Sequence, residues 1–138
     1  MYEEYLSAIT GLWVILFTVL VQSLVASVSH RLQTSYIPGV LDEKLGHASF
    51  VFRSHRTFQN SLENVVLMVG PAILAILVGA DAFWLALLIW VFALSRLMHM
   101  ALYYLIATEK NPSPRSYFYM LALSSNIALF FMLGSQLV

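Results

Sequence analysis

Long apolar runs joined by polar connections set the pattern of this chain. Apolar residues dominate, without strand-like alternation, in residues 9–28, 65–80, 83–106 and 117–137. Backbone polar groups in lipid must be satisfied within the segment, so continuous runs of this kind predict helices that cross a membrane. We therefore expect an all-α membrane protein, a four-transmembrane-helix bundle that forms a single integral membrane domain over residues 1–138. The helices are expected at about residues 6–30, 48–80, 82–107 and 114–137.

A polar stretch, FRSHRTFQNSLEN, precedes the second apolar run and occupies residues 52–64. The run itself is short for a membrane span, and nothing in the stretch breaks a helix, so we extend the helix through it. On a helical wheel most of the polar side chains fall within about 100° of arc. They are Arg53, Arg56, Asn60, Glu63 and Asn64, with Gln59 at the edge. The stretch therefore predicts one polar stripe on the second helix.

Composition supports the membrane assignment and narrows the chemistry. The chain is 60% hydrophobic and only 10% charged, against roughly 45–50% apolar residues in soluble domains. The net charge of zero gives no bulk attraction to nucleic acid. The absence of cysteine excludes disulfides, thiolate metal sites and a cysteine nucleophile. Clustered histidine and carboxylate ligands are lacking as well, so no metal site is predicted.

The basic residues predict the orientation in the membrane. With four spans, all seven fall on or near the side of the first and third loops: Arg31, Lys44, Arg53, Arg56, Arg96, Lys110 and Arg115. The opposite side holds Glu3, Glu4 and Asp81. The positive-inside rule then places both loops in the cytoplasm and both termini outside. The first helix is interpreted as a retained span, in a bacterial inner membrane or the endoplasmic reticulum.

The third helix carries Arg96, His99 and Tyr103, which are spaced three and four residues apart and share one face. Arg96 lies deep in an apolar helix, where an unpaired charge is costly. Glu63 is the acidic residue expected at a similar depth, so the sequence predicts an Arg96–Glu63 ion pair. The alternative is a purely structural cluster, with the arginines of the second helix reaching to the interface and one of them pairing with Glu63.

The fourth helix is expected to begin with Ser113 as its N-cap and Pro114 as its first residue. Arg115 and Ser116 then lie in the first turn, where free N–H groups and the helix dipole favour an anion. Tyr119 lies one turn further along. The alternative for Arg115 is an ordinary contact with lipid phosphate. Together the three polar faces suit a small ligand with several carboxylates and an ammonium group.

The chain resembles the MAPEG family, the membrane-associated proteins in eicosanoid and glutathione metabolism. RTFQNSLEN, residues 56–64, is similar to the R-A-H-x-N-x-x-E-N motif of the family's second helix. Arg96, His99 and Tyr103 resemble the third helix of the prostaglandin-synthase branch, and Pro114, Arg115, Ser116 and Tyr119 resemble the start of its fourth. Gln59 stands where several members have a basic residue. The loop before Arg115 is also longer, so prostaglandin synthesis is not assigned.

The resemblance implies a homotrimer that binds glutathione between neighbouring subunits on the cytoplasmic side. It implies carboxylate contacts for Arg31, Arg53 and Arg56, and an ammonium contact for Glu63 and Asn60. Arg115 would stabilise the thiolate, with Ser116 as a donor, and these two are the expected catalytic residues. The remaining expected glutathione-binding residues are Gln59, His99, Tyr103 and Tyr119. An apolar co-substrate would enter from the bilayer.

The expected activity is that of a microsomal-type glutathione transferase, with peroxidase activity on lipid hydroperoxides as a further possibility. Such an enzyme serves detoxification or lipid metabolism. The alternative is a non-catalytic scaffold or lipid-binding membrane protein of the same fold. A third hypothesis is a small transporter or channel that uses Glu63 and Arg96 as a relay for a substrate or protons. The lack of broken helices and of internal repeats weighs against the transporter.

Overall fold

The computed structural model describes residues 3–138 of the chain. Within that part, the secondary structure consists of four long α-helices, which confirms the all-α, four-helix prediction. They are α1 (Leu6–Arg31), α2 (Phe50–Leu77), α3 (Ala82–Leu105) and α4 (Pro114–Leu137). Each helix is long and apolar enough to cross a membrane. Many large apolar side chains, such as Trp13, Leu24 and Phe131, face outward, as a bundle surrounded by lipid tails requires.

The helix ends follow local sequence signals. The Ser49 hydroxyl caps α2 by accepting a hydrogen bond from the Phe52 N–H group, and the Asp81 carboxylate caps α3 in the same way from Trp84. α2 begins two residues later and ends three earlier than residues 48–80, because Ser49 is its cap and the chain turns at Gly79. Gly79 has φ of 75°, a conformation that suits glycine, and it makes the turn between α2 and α3 tight.

α2 and α3 form the centre of the bundle, and α1 and α4 flank them. α1 packs on α2 and α3, while α4 packs mainly on α3 and also on α2; among the described residues, α1 and α4 do not meet. α1 and α3 approach each other closely at Gly11, where a Cβ atom would lie 2.6 Å from Ile89 Cγ2. The two outer helices therefore leave different faces of α2 open.

The apolar core lies in the half of the bundle near the α2–α3 turn. Leu85, Ile89 and Phe92 of α3 are fully buried there, together with Met68 of α2 and Leu129 of α4. The buried polar residues of α2 and α3 come from the other half, towards the first and third loops. This division leaves the polar end of the bundle for a binding site.

Candidate functional site

A cleft of about 380 Å³ lies between α2, α3 and α4, at the end of the bundle that carries the first and third loops. Side chains from all three helices line it, together with one residue of the third loop: Arg56, Asn60, His99, Tyr103, Asn111, Arg115, Ser116, Tyr119 and Met120. Seven of these nine are site residues that the sequence predicted; Asn111 and Met120 are the additions. The polar faces of three helices thus meet around one cavity.

The first turn of α4 forms one wall of the cleft. Ser113 is the N-cap and Pro114 the first helical residue, the arrangement expected from the sequence. The Ser116 hydroxyl oxygen accepts a hydrogen bond from the Ser113 N–H group at 3.1 Å and lies 3.1 Å from the Ser113 hydroxyl. Ser116 therefore helps to cap the helix as well as lining the cleft.

The guanidinium group of Arg115 has protein contacts on part of its surface, and one of its nitrogens has none in the described part of the chain. Its Cζ atom lies 4.1 Å from the centroid of the Tyr103 ring, in a cation–π contact. Its Nη2 atom donates to the Thr108 carbonyl oxygen at 3.2 Å. Its Nη1 atom is buried and has no hydrogen-bond partner among the described residues. Since an arginine is always a cation, Arg115 brings a positive charge with an unused donor to the wall of the cleft.

The α3 wall of the cleft consists of His99 and Tyr103, one helical turn apart. The His99 ring packs edge-on against Tyr103, with centroids 5.6 Å apart, and lies 6.4 Å from the ring of Tyr119 on α4. His99 Nδ1 is buried without a hydrogen-bond partner in residues 3–138. His99 thus lines the cleft with its ring, and its Nδ1 atom has an unused hydrogen-bonding position.

The α2 wall consists of Arg56 and Asn60. Arg56 is exposed and Asn60 is half-buried. The Asn60 side-chain oxygen accepts a hydrogen bond from Arg96 Nη2 at 2.8 Å. Asn60 therefore joins the cleft to the packing between α2 and α3.

The predicted Arg96–Glu63 ion pair is wrong. Arg96 is 4% exposed and donates to the side chains of Asn60 and Ser61, at 2.8 and 3.0 Å. On α2, Ser61 lies about 100° to one side of Asn60, and Glu63 lies about 60° to the other side. α3 packs on the Ser61 side, so the Glu63 carboxylate faces outward and is exposed. Neutral oxygens of α2 take the place of the expected carboxylate.

Arg53 points to the first loop instead of the cleft. Its Nη1 atom donates to the carbonyl oxygens of His47 and Ala48, at 2.7 and 2.9 Å. Its Nη2 atom donates to the Tyr104 carbonyl oxygen at 3.3 Å. Arg53 thus fastens the end of the first loop to the end of α3. Within one protomer, Arg53 therefore does not line the cleft, where the expected contact with a carboxylate would form.

Three other predicted residues, Arg31, Gln59 and Glu63, also lie outside the cleft. Gln59 and Glu63 are exposed on α2. Arg31 lines a second cavity of about 340 Å³, between the end of α1, the first loop and α2. The α2 residues of that cavity lie roughly 150° around the helix from Arg56 and Asn60. Within one protomer, Arg31 and the cleft are therefore on nearly opposite sides of α2.

His47, Asn111 and Met120 contribute to the site but were missed by the sequence analysis. His47 Nε2 lies 3.2 Å from the Tyr103 hydroxyl oxygen, although 56 residues separate them. Asn111 comes from the third loop. Met120 could have been found, because it lies one residue beyond Tyr119 in the first turns of α4. The loop residues carry no spacing signal, because their position depends on how the loops fold back on the helices.

An apolar groove of about 300 Å³ lies along α4, further from the helix start than the cleft. Its lining residues are Leu67 of α2 and Leu123, Asn126, Ile127, Phe130 and Phe131 of α4. Leu67 follows Arg56 and Asn60 on the same face of α2, and the α4 residues follow Arg115 and Tyr119 on the same face of α4. The polar cleft and the apolar groove therefore lie one after the other along the same faces of α2 and α4.

Comparison with known proteins identifies the family. The sequence profile of the MAPEG family matches residues 7–135, nearly the whole chain, so the protein belongs to this family. The resemblance stated from the sequence is thereby confirmed. No curated protein and no solved structure matches the chain significantly. Family membership and four helices able to cross a membrane make this a multi-pass membrane protein. The family includes glutathione transferases and also non-catalytic members.

Proposed function

We propose that the protein is a glutathione-dependent transferase, with peroxidase activity on lipid hydroperoxides, that acts at the cytoplasmic face of a membrane. The observation that carries this proposal is the free Nη1 atom of Arg115, buried at the start of α4 and directed to no protein acceptor in residues 3–138. A cation and a helix N-terminus both favour the thiolate form of a thiol. Family membership makes glutathione the thiol to consider first.

The cleft suits the remaining groups of glutathione, which carries two carboxylates and one ammonium group. Arg56 supplies an exposed cation at the outer rim for a carboxylate. The Asn60 amide supplies neutral donors beside it, and the His99 ring lines the cleft from α3. Tyr119 completes the wall opposite. Such a site holds the tripeptide by its charges and leaves its sulfur near Arg115.

The active assembly in this proposal is a homotrimer, as the family resemblance implies. The protomer leaves the polar side chains of Glu63 and Gln59 exposed near the cytoplasmic end of α2. Arg31 lies on nearly the opposite side of α2 from the cleft. A cyclic assembly brings such opposite faces of neighbouring subunits together. Arg31 of one subunit would then complete the cleft of the next, and Glu63 would meet the glutathione ammonium group.

The co-substrate in this proposal is a lipophilic electrophile or a lipid hydroperoxide that occupies the groove below the cleft. The groove is almost entirely apolar and continues the same faces of α2 and α4. The reactive atom of the co-substrate would then lie at the boundary between groove and cleft.

The reaction follows from an activated thiolate. In conjugation, the sulfur forms a bond to an electrophilic carbon, and the leaving group departs with its electron pair. With a hydroperoxide, the sulfur attacks the terminal oxygen, the O–O bond breaks, and the alkoxide takes up a proton. A second glutathione then converts the sulfenic acid to the disulfide and water. Arg115 stabilises the anionic sulfur before the attack in both cases.

The test is glutathione binding to purified protein, followed by ultraviolet difference spectroscopy of the thiolate band. We expect the wild-type protein to show thiolate absorbance at neutral pH and to conjugate a model electrophile. Arg115→Ala should lose the thiolate band and reduce conjugation about a hundredfold or more, because it removes the main charge that stabilises the sulfur. Lys110→Ala, which alters an exposed loop cation, is the control and should behave like the wild type.

A second candidate function is a non-catalytic scaffold or lipid-binding protein. The groove supports it, since an apolar tract can hold a lipid whether or not chemistry follows, and the family has non-catalytic members. This candidate predicts lipid binding with neither a thiolate band nor conjugation in the wild-type protein. The spectroscopic test therefore separates the two functions in one measurement.

A further inference from the structure

The first loop contacts Tyr103, a residue of the cleft wall, through the side chain of His47. Its Nε2 atom lies 3.2 Å from the Tyr103 hydroxyl oxygen. Its ring stacks on the Tyr103 ring, with centroids 5.9 Å apart and an angle of 17° between the planes. His47 also contacts Phe52 of α2 edge-on, with centroids 5.0 Å apart. The imidazole is thus fixed between the start of α2 and the end of α3.

Hydrogen bonds from Arg53 also hold the backbone around His47 in place. Arg53 donates to the carbonyl oxygens of His47 and Ala48, and it also donates to the Tyr104 carbonyl oxygen. One guanidinium therefore ties the loop to the residue that follows Tyr103. A loop held in this way can determine the position of a side chain in the cleft, which an unrestrained loop cannot.

Tyr103 is the side chain that receives this support. It is 8% exposed and lines the cleft. Three ionisable or charged side chains pack on it: His47 from the loop, His99 from α3 and Arg115 from α4. In residues 3–138, its hydroxyl has one hydrogen-bond partner, His47 Nε2. The Tyr103 hydroxyl can therefore form a further hydrogen bond with a ligand.

The direction of the His47–Tyr103 hydrogen bond decides what the hydroxyl offers. A tyrosine hydroxyl has one proton to donate and two lone pairs that accept. If His47 Nε2 carries the proton and donates it, the Tyr103 proton stays free to point into the cleft. Donation to the oxygen also makes that proton a stronger donor, because hydrogen bonds in a chain polarise one another.

We infer that His47 is a positioning residue for the thiolate: it donates to the Tyr103 hydroxyl and so orients Tyr103 as a hydrogen-bond donor to the bound sulfur. The same contact keeps the Tyr103 ring under the Arg115 guanidinium. The first loop thereby belongs to the machinery that activates glutathione. The inference rests on the proposed function, and it assigns a role to a residue outside the helical motifs.

The experiment compares His47→Phe with the wild type in the purified protein, with saturating glutathione. Phenylalanine keeps the stacked ring on Tyr103 and removes the donor. We expect a three- to tenfold lower thiolate fraction at neutral pH, the size of one lost hydrogen bond, with glutathione binding retained. The full pH profile of the thiolate band should shift to higher pH. His47→Gln, whose amide can still donate, should recover part of the loss.

A double-mutant cycle with Tyr103→Phe distinguishes positioning from a general structural effect. If His47 acts through the Tyr103 hydroxyl, His47→Phe should change nothing further in the Tyr103→Phe background. Additive effects of the two substitutions would overturn the inference, as would an unshifted pH profile in His47→Phe. Tyr117→Phe is the control, because Tyr117 is exposed on α4 and lines neither cavity, and it should leave the profile unchanged.

Failure of the inference and failure of the proposed function give different results. If the wild-type protein shows no thiolate band with glutathione, the proposed function fails and the role of His47 falls with it. If the wild-type band is present and His47→Phe retains it in full, only the inference about His47 is overturned. Thermal unfolding of each variant in the same detergent checks that the compared proteins are equally folded.

Discussion

The contact between α2 and α3 and the wall of the cleft each contain an arginine, and the two arginines have different surroundings. Between α2 and α3, Arg96 is 4% exposed and donates to Asn60 and Ser61. In the cleft, Arg115 is half-buried, stacks on Tyr103 and keeps Nη1 without a partner among the described residues. Arg96 also has Nε and Nη1 atoms without partners in residues 3–138, so the difference lies in position: Arg115 lines the cleft, whereas Arg96 lies in the packing between α2 and α3.

This difference shows that depth alone does not make an arginine functional. Arg96 lies deeper in its helix than Arg115. Two oxygen acceptors from α2 offset the free-energy cost of burying the Arg96 charge. Arg115 lies at a helix N-terminus beside open space, where an anion completes its hydrogen bonds. Asn60 touches both regions, since it accepts from Arg96 and lines the cleft. Substitutions at these positions can therefore separate stability from ligand chemistry.

The largest effect on stability is expected from Arg96→Met. It removes two charge-assisted hydrogen bonds and leaves the half-buried Asn60 oxygen and the buried Ser61 oxygen without this donor, for a loss of about 3 kcal/mol. Arg115→Met is the matched control and should lose only about 1 kcal/mol, because its contacts are a cation–π contact and one hydrogen bond. Unfolding in detergent, followed by circular dichroism, measures both.

The thiolate band of bound glutathione should show the reverse order. Arg96→Met should keep the band in the folded protein, and Arg115→Met should lose it. Equal stability losses in the two variants, or loss of the band in Arg96→Met, would contradict the division between the two regions.

An intermediate effect is expected from Asn60→Ala, which touches both regions at once. The loss of one acceptor for Arg96 should lower the unfolding free energy by about 1 kcal/mol. The loss of the amide from the cleft should weaken glutathione binding several-fold, by a comparable free energy. Calorimetric titration and thermal unfolding of the same preparation measure the two effects. A change in only one of them would assign Asn60 to a single region.

The smallest effect on stability is expected from Glu63→Gln. The side chain is exposed and has no ion pair among residues 3–138, so the unfolding free energy should change by less than about 0.5 kcal/mol. Glutathione binding should weaken, because the proposed contact with the ammonium group loses its charge. A glutathione analogue without the amine should bind the variant and the wild type equally. An equal loss for both ligands would remove Glu63 from the ammonium contact.

Much of the fold could be predicted from the sequence because the signals are local. Continuous apolar runs define the helices, and Ser113 with Pro114 marks the start of α4. The three- and four-residue spacing of Arg96, His99 and Tyr103 places them on one face of α3, and the last two line the cleft. Each of these depends on the geometry of a single helix.

The wrong or missed predictions concern side-chain contacts that depend on how two elements of structure pack together. The wheel of α2 groups Glu63 with Asn60, but it does not say which side of that stripe meets α3. Arg96 consequently binds Ser61 and Asn60 instead of Glu63. Arg53 shares the same stripe, yet the returning loop captures it through backbone carbonyls. His47 was missed for the same reason, since loop positions follow no helical period.

The way in which the first loop is fastened also provides an experimental handle. His30 binds the Ile37 carbonyl oxygen near its beginning, and Arg53 holds His47 near its end. Between them, Asp42, Glu43 and Lys44 are exposed. An epitope inserted at these three residues should leave both anchors intact. Antibody access to it in sealed vesicles would then report which side of the membrane the cleft faces, in a protein whose site still binds its ligand.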